Sequence, residues 1–258
     1  MDALVGHTGF VGGTLARQHD FGACFNSATI GTIAGRSFGT LVFAGAQGKK
    51  WWANQNPDAD RAGIERALEA LSGVRADRVI LISTIDVLPA GAGLDESADC
   101  SGSTHAYGAN RYFLELAMRE LFPQTVVIRL PALFGEGLKK NVLFDLLTGN
   151  MLEKINPRSS FQYYDLARLW EDVRRVEAHG LELVHLFPEP LATQAILDAC
   201  FPAAKVGADA APEMHYDYRT RHAALFGRTD GYMLGRAEVL DAMGRFIAAW
   251  RRAGTVPA

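Results

Sequence analysis

"ALVGHTGFVGGTLARQ", residues 3–18, decides how this chain folds. Its first three residues are apolar and read as a short buried strand. Gly6, Gly9 and Gly12 follow in a G-x-x-G-x-x-G spacing, and from Phe10 onward the pattern becomes helical. Glycine at such a turn lets the backbone reverse tightly and approach an anion closely, while the first amides of the helix face it. A strand, a glycine-rich turn and a helix in that order form the first βα turn of a dinucleotide-binding fold. Gly6, Thr8, Gly9, Phe10, Val11 and Gly12 are therefore the candidates to hold a pyrophosphate.

Outward from this turn the chain keeps alternating. "ACFNS" (23–27) reads as a weak strand, "TLVFAGA" (40–46) as a stronger one, and "DRVILIST" (77–84) as a continuous apolar strand of the kind buried on both faces of a parallel sheet. "DADRAGIERALEALSGV" places Ile64, Leu68 and Leu71 at helical spacing. A second helix is predicted from Tyr107 to about Leu121, ahead of a buried strand in "TVVIRLPALFG". A strand-like "LELVHLF" (181–187), a helix at "TQAILDACF" and a terminal helix around "AEVLDAMGRFIAAWRRA" complete the pattern. The alternation predicts an α/β fold: a doubly wound Rossmann-type parallel sheet with a small C-terminal substrate lobe. The expected division gives residues 1–140 plus about 165–190 to the Rossmann domain, and about 141–164 with 191–258 to the lobe.

Composition narrows the function classes. The 258 residues are 48% hydrophobic and 21% charged, with a formal net charge of -3, which gives no electrostatic case for a nucleic-acid partner. Cys24, Cys100 and Cys200 are scattered without metal-ligand spacing or a disulfide framework, and read as reduced thiols. The apolar start is too short for a signal peptide or a membrane span. The expectation is a cytoplasmic protein with a small-molecule substrate, no metal, no nucleic-acid or membrane partner, and a homodimer as the assembly to consider.

The end of a second Rossmann strand normally carries a carboxylate for the ribose of NAD. Here Asn26 and Ser27 stand in that place, and "CFNSATIGTIAGRS" (24–37) contains no Asp or Glu. Nothing repels a 2'-phosphate, and Arg36 is placed to reach one. NADP is favoured, with NAD as the alternative.

Four segments in this order, the N-terminal glycine loop, "LISTIDV" (81–87), "YGANR" (107–111) and "IRLPALFGEG" (128–137), resemble the extended short-chain dehydrogenase/reductase family, which includes nucleotide-sugar epimerases and dehydratases. "SSFQYYDLARLW" (159–170) looks like the family's return from the substrate lobe to a Rossmann helix. The resemblance implies that Tyr107 is the catalytic acid/base and that Thr84 hydrogen-bonds the same substrate oxygen. It places Gly45 and Ala46 on the adenine side, and Pro131 and Ala132 along the nicotinamide. The departure is Arg111, since the family pattern is Tyr-x-x-x-Lys. That lysine grips the nicotinamide ribose and lowers the tyrosine pKa. Arginine keeps the charge, worth roughly 4 kcal/mol at about 4 Å and an effective dielectric near 20, or on the order of three pKa units. It cannot release a proton, so a relay through the cation is lost.

Asp86 aligns with the base of the family's dehydratases, but Ile85 stands where those enzymes have another acid, and a strand-end cap is the competing reading. His105 is a second candidate for substrate, against a solvated loop histidine. Lys139, Lys140 and Asn141 are candidates for a substrate phosphate, against a surface charge pair. The function implied is an NAD(P)-dependent oxidoreductase or epimerase acting on a sugar, nucleotide-linked or not, or on a small hydroxy or carbonyl compound. The alternative is a catalytically impaired dinucleotide-binding regulator or sensor of the same fold.

Overall fold

The computed structural model describes residues 1–102, 105–207 and 211–254. In chain order the elements are β1 (Ala3–Val5), α1 (Phe10–Gln18), β2 (Ala23–Phe25), β3 (Ser37–Phe43), α2 (Lys50–Gln55), α3 (Pro57–Leu71), β4 (Arg75–Thr84), α4 (Ala106–Leu121), β5 (Thr125–Leu130), β6 (Ala132–Phe134), α5 (Val142–Thr148), β7 (Ser160–Phe161), β8 (Tyr163–Asp165), α6 (Leu169–Ala178), β9 (Leu183–His185), β10 (Leu191–Ala192), α7 (Thr193–Cys200) and α8 (Arg236–Arg252). They fall into two compact units. The first comprises Met1–Ala90, Glu96–Leu130 and Arg168–His185, and the second Gly91–Asp95, Pro131–Ala167 and Leu186–Ala258.

The first unit is built on a six-stranded sheet in the order β2-β1-β3-β4-β5-β9. Every neighbouring pair in it is parallel. Ala3, Val5, Leu41, Phe43, Val79, Leu81 and Val127 pack on one face with Ile64 and Leu71 of α3 and Leu114 and Met118 of α4. The intervening Leu4, Val42, Ile80 and Ile128 are buried as well. Burial on both faces is why these strands read as unbroken apolar runs. The chain runs from β1 to β2 on one side and reaches β3 on the other. β1 and β3 therefore flank a switch point, where ligands of open α/β sheets bind at the carboxyl ends of the strands.

One buried row of this sheet is polar. Ser83, Arg129 and His185 are register partners across β4, β5 and β9. Glu115 of α4 binds Arg129 through both oxygens, at 3.0 and 2.7 Å, and accepts from the Ser83 hydroxyl at 2.5 Å. Arg129 Nη1 lies 3.1 Å from His185 Nε2. A guanidinium only donates, so Nε2 accepts and a neutral imidazole carries its proton on Nδ1.

In the second unit, β6 pairs with β8 in parallel and β10 with β7 antiparallel. The sequence reading ran one strand through "TVVIRLPALFG", but Pro131 has no amide hydrogen for the ladder. The chain leaves the large sheet there, and residues 131–140 fall in the second unit instead of the first. Residues 208–210 and 255–258 of the expected lobe lie outside the described residues. No helix among the described residues is long and apolar enough to cross a membrane.

Candidate functional site

The glycine loop joins β1 to α1 at the switch point, and its three glycines have different duties. Gly6 has φ +95°, and a Cβ there would collide with the Ala44 carbonyl on the segment leaving β3. A Cβ on Gly12 would overlap the Gly6 carbonyl, so this residue lets α1 close onto the loop. Gly9 is exposed and caps α1 with φ -81° and ψ 171°, a conformation open to any residue. A Cβ at Gly9 would meet only the Gly6 carbonyl oxygen, at 3.3 Å. Above Gly9, then, is the open side of the loop. The first turn of α1, with Phe10 and Val11, contains no acidic residue to oppose an anion at its amides. His7 Nδ1 lies 3.0 Å from the Phe25 carbonyl and ties the loop to the end of β2.

At that strand end, Asn26 Oδ1 accepts from the amides of Ala28 and Thr29 at 2.9 and 3.1 Å, forming a tight turn, while Ser27 is exposed. Arg36 immediately precedes β3, at the end of the sheet away from the loop. Its guanidinium rests 5.2 Å from the ring centroids of both Phe25 and Phe38. Gly45 and Ala46 follow β3 beside the glycine loop.

The polar centre lies at the carboxyl end of β4. Thr84 ends the strand and accepts from the Asp86 amide at 3.2 Å, capping a single 3₁₀ turn, Ile85–Val87. α4 starts opposite it with His105 as N-cap, whose Nδ1 accepts from the Gly108 amide at 3.0 Å. This assigns the proton of a neutral ring to Nε2, which lies 3.7 Å from the Asp86 carboxylate. Lys50 of α2 contacts the same carboxylate oxygen at 2.6 Å. Burial opposes the charge on Asp86, but His105 and Lys50 outweigh it and hold the carboxyl below its ordinary value.

Tyr107 is 8% exposed, and its amide is held by Asn54 Oδ1 at 2.9 Å. The Arg111 Cζ lies over its ring, 4.4 Å from the centroid. Both Arg111 Nη atoms are bound to Asp60 of α3, at 2.8 and 3.0 Å, and Nη2 also donates to the Gln47 carbonyl. Arg111 Nε is buried and makes no hydrogen bond among the described residues. Burial pushes the Tyr107 hydroxyl above the ordinary phenol value; Arg111 and Thr84 pull against it and Asp86 adds to it. The Arg111 charge does not bring the hydroxyl below the ordinary phenol value. Desolvation of the buried phenol is the larger effect, and the Asp86 carboxylate adds to it.

The structure thus brings Thr84, Asp86, His105, Tyr107 and Arg111 together. Reading the sequence missed Lys50, Asn54 and Asp60, which reach the centre from α2 and α3. Pro131 and Ala132 begin the second unit. There Lys139 and Lys140 are exposed, and the Asn141 side chain is engaged. It accepts from the Phe144 amide at 3.1 Å to cap α5, and donates to the Leu133 carbonyl at 2.8 Å. The open glycine loop and the absence of a first-turn carboxylate suit an anionic ligand.

No protein-family model matches the sequence, and no curated protein matches it. Solved structures do match in fold over almost the whole chain. One is a double mutant of the dTDP-glucose 4,6-dehydratase of Streptomyces venezuelae with NAD bound, at a TM-score of 0.72 and 15% identity, covering 97% of each chain. Another is the dTDP-4-dehydrorhamnose reductase of Bacillus anthracis in complex with NADP, at 0.71 and 16%, covering 96% of this chain and 97% of that one. A third is the UDP-glucose 4-epimerase of Thermotoga maritima, at 0.64 and 12%, covering 99% and 100%.

Proposed function

We propose that the chain is an NAD(P)-dependent oxidoreductase or epimerase acting on a sugar, nucleotide-linked or not, or on a small hydroxy or carbonyl compound. The observation that carries this reading is Tyr107 beside Thr84 at the carboxyl end of β4, in a sheet whose switch point holds the open glycine loop. Gly9 and the first amides of α1 would hold the pyrophosphate of the dinucleotide. When bound, the nicotinamide supplies the hydride donor or acceptor. Tyr107 gives its proton to the substrate oxygen in the reducing direction and takes it back in the oxidising one. Thr84 orients that oxygen: its own oxygen already accepts from Asp86, which leaves its O–H to donate.

Dinucleotide binding is the first test. The Gly9 dihedrals admit any residue, and a Cβ there asks the Gly6 carbonyl to give by a few tenths of an ångström. Gly9→Val should therefore fold, with circular dichroism as the check, and push a branched side chain into the pyrophosphate space. Calorimetric titration with NAD(H) and NADP(H) should show heat for wild type and none for the variant. Equal heats from the two proteins would remove the reading.

Cofactor choice is the second test. With no carboxylate at the end of β2, NADP should bind at least as well as NAD. Ser27→Asp should shift preference toward NAD by adding a ribose acceptor and repelling a 2'-phosphate. A wild type that already prefers NAD by more than about tenfold, or 1.4 kcal/mol, contradicts the role given to Asn26 and Ser27.

A second reading, a dinucleotide-binding regulator without turnover, is favoured by one observation: the Nη groups of Arg111 are committed to Asp60 and Gln47. It predicts tight dinucleotide binding and no hydride transfer to any substrate in a panel of nucleotide sugars, free sugars and small alcohols.

A further inference from the structure

We propose that Asp60 is the positioning residue of this site: it grips Arg111 through both carboxylate oxygens, turns the Nη groups toward itself and offsets part of the charge beside Tyr107. The inference deepens the reading of Tyr107 as acid/base and rests on it.

The two side chains are each only 3% exposed. Asp60 comes from the first turn of α3, 51 residues before Arg111. Asn110 Nδ2 steadies the carboxylate with a further bond to Oδ2 at 2.9 Å, and also donates to the Pro57 carbonyl at 3.0 Å. A guanidinium has five donors in a rigid fork. Asp60 and Gln47 engage three of them, leaving one hydrogen on Nη1 and the buried Nε, which has no hydrogen bond among the described residues. What Arg111 can offer a ribose diol is limited to those two hydrogens, and its Cζ lies 4.4 Å from the Tyr107 ring centroid.

The charges around Tyr107 come in compensated pairs. Arg111 on α4 is matched by Asp60 on α3, and Lys50 on α2 by Asp86 on the turn after β4, with His105 at the head of α4 as Asp86's second neighbour. Each of these cations among the described residues is thus faced by a carboxylate; burial outweighs the pull that Arg111 still exerts, and the phenol keeps its proton.

The test follows Tyr107 itself and needs no turnover. Tyrosinate absorbance is titrated from about pH 8 to 12, around the free phenol value of about 10. Subtracting the same titration of Tyr107→Phe in each background isolates one of the seven tyrosines. Asp60→Asn should move the Tyr107 midpoint down by about one to three units, the effect of an uncompensated cation at this range. Asp60→Glu should restore the wild-type midpoint.

If Asp60→Asn does not fold, the complementary pair decides. Arg111→Met leaves Asp60 unmatched and should raise the midpoint. Asp60→Asn in that background should lower it by about one unit or more. Identical midpoints in wild type and Asp60→Asn, or in Arg111→Met and the double variant, overturn the proposal. Shifted midpoints without hydride transfer would remove the enzyme reading and leave the role of Asp60 standing, whereas turnover with unshifted midpoints would do the reverse.

Discussion

Tyr107→Phe is expected to lower hydride transfer by about 10² to 10⁴, the range for a lost general acid/base, while dinucleotide affinity stays within about twofold of wild type. The ring carries the packing against Arg111, and phenylalanine keeps the ring. Only the hydroxyl beside Thr84 is lost. The assay follows nicotinamide absorbance with a panel of nucleotide sugars, free sugars and small carbonyl compounds. Wild type should show no loss of activity from Tyr107 below about pH 10, because the folded phenol holds its proton more tightly than a free one. A variant that turns over at the wild-type rate removes Tyr107 from the chemistry.

The second large effect is on stability. Glu115→Leu removes both acceptors from Arg129 and strands a guanidinium that is only 3% exposed. Breaking a buried pair from one side costs about 3–5 kcal/mol, and Ser83 loses its acceptor too. Adding Arg129→Leu removes the stranded charge, so the double variant should be more stable than Glu115→Leu alone, though His185 Nε2 then lacks its donor. Denaturant unfolding of the two single variants and the double variant measures the coupling. Additive losses would mean that the pair does not hold α4 to β5.

The fold was legible because its evidence is local. Strands buried on both faces must be continuously apolar, and "DRVILIST" and "TLVF" could be little else. The turn at Gly6–Gly12 reads from spacing alone, since strand, turn and helix lie within 16 residues. Pro131 marked the limit of that approach. The apolar run continues through it, but the missing amide ends the ladder, and which strand Ala132–Phe134 pairs with depends on β8, some thirty residues on.

Local spacing likewise set Tyr107 and Arg111 one helical turn apart and put Thr84 and Asp86 at a strand end; the sequence determined the sheet, its glycine loop and this group of residues. What Arg111 does with its charge was left to the tertiary structure. Its partner Asp60 stands 51 residues away in "NPDADR", where it reads as an ordinary first-turn acid of an amphipathic helix. Lys50 reaches Asp86 from 36 residues away in the same manner. A sequence shows which charges a chain carries and which share a helical face. Whether two charges cancel depends on a separation of a few ångströms and on the water excluded around them, and packing α2, α3 and α4 against the end of β4 sets both.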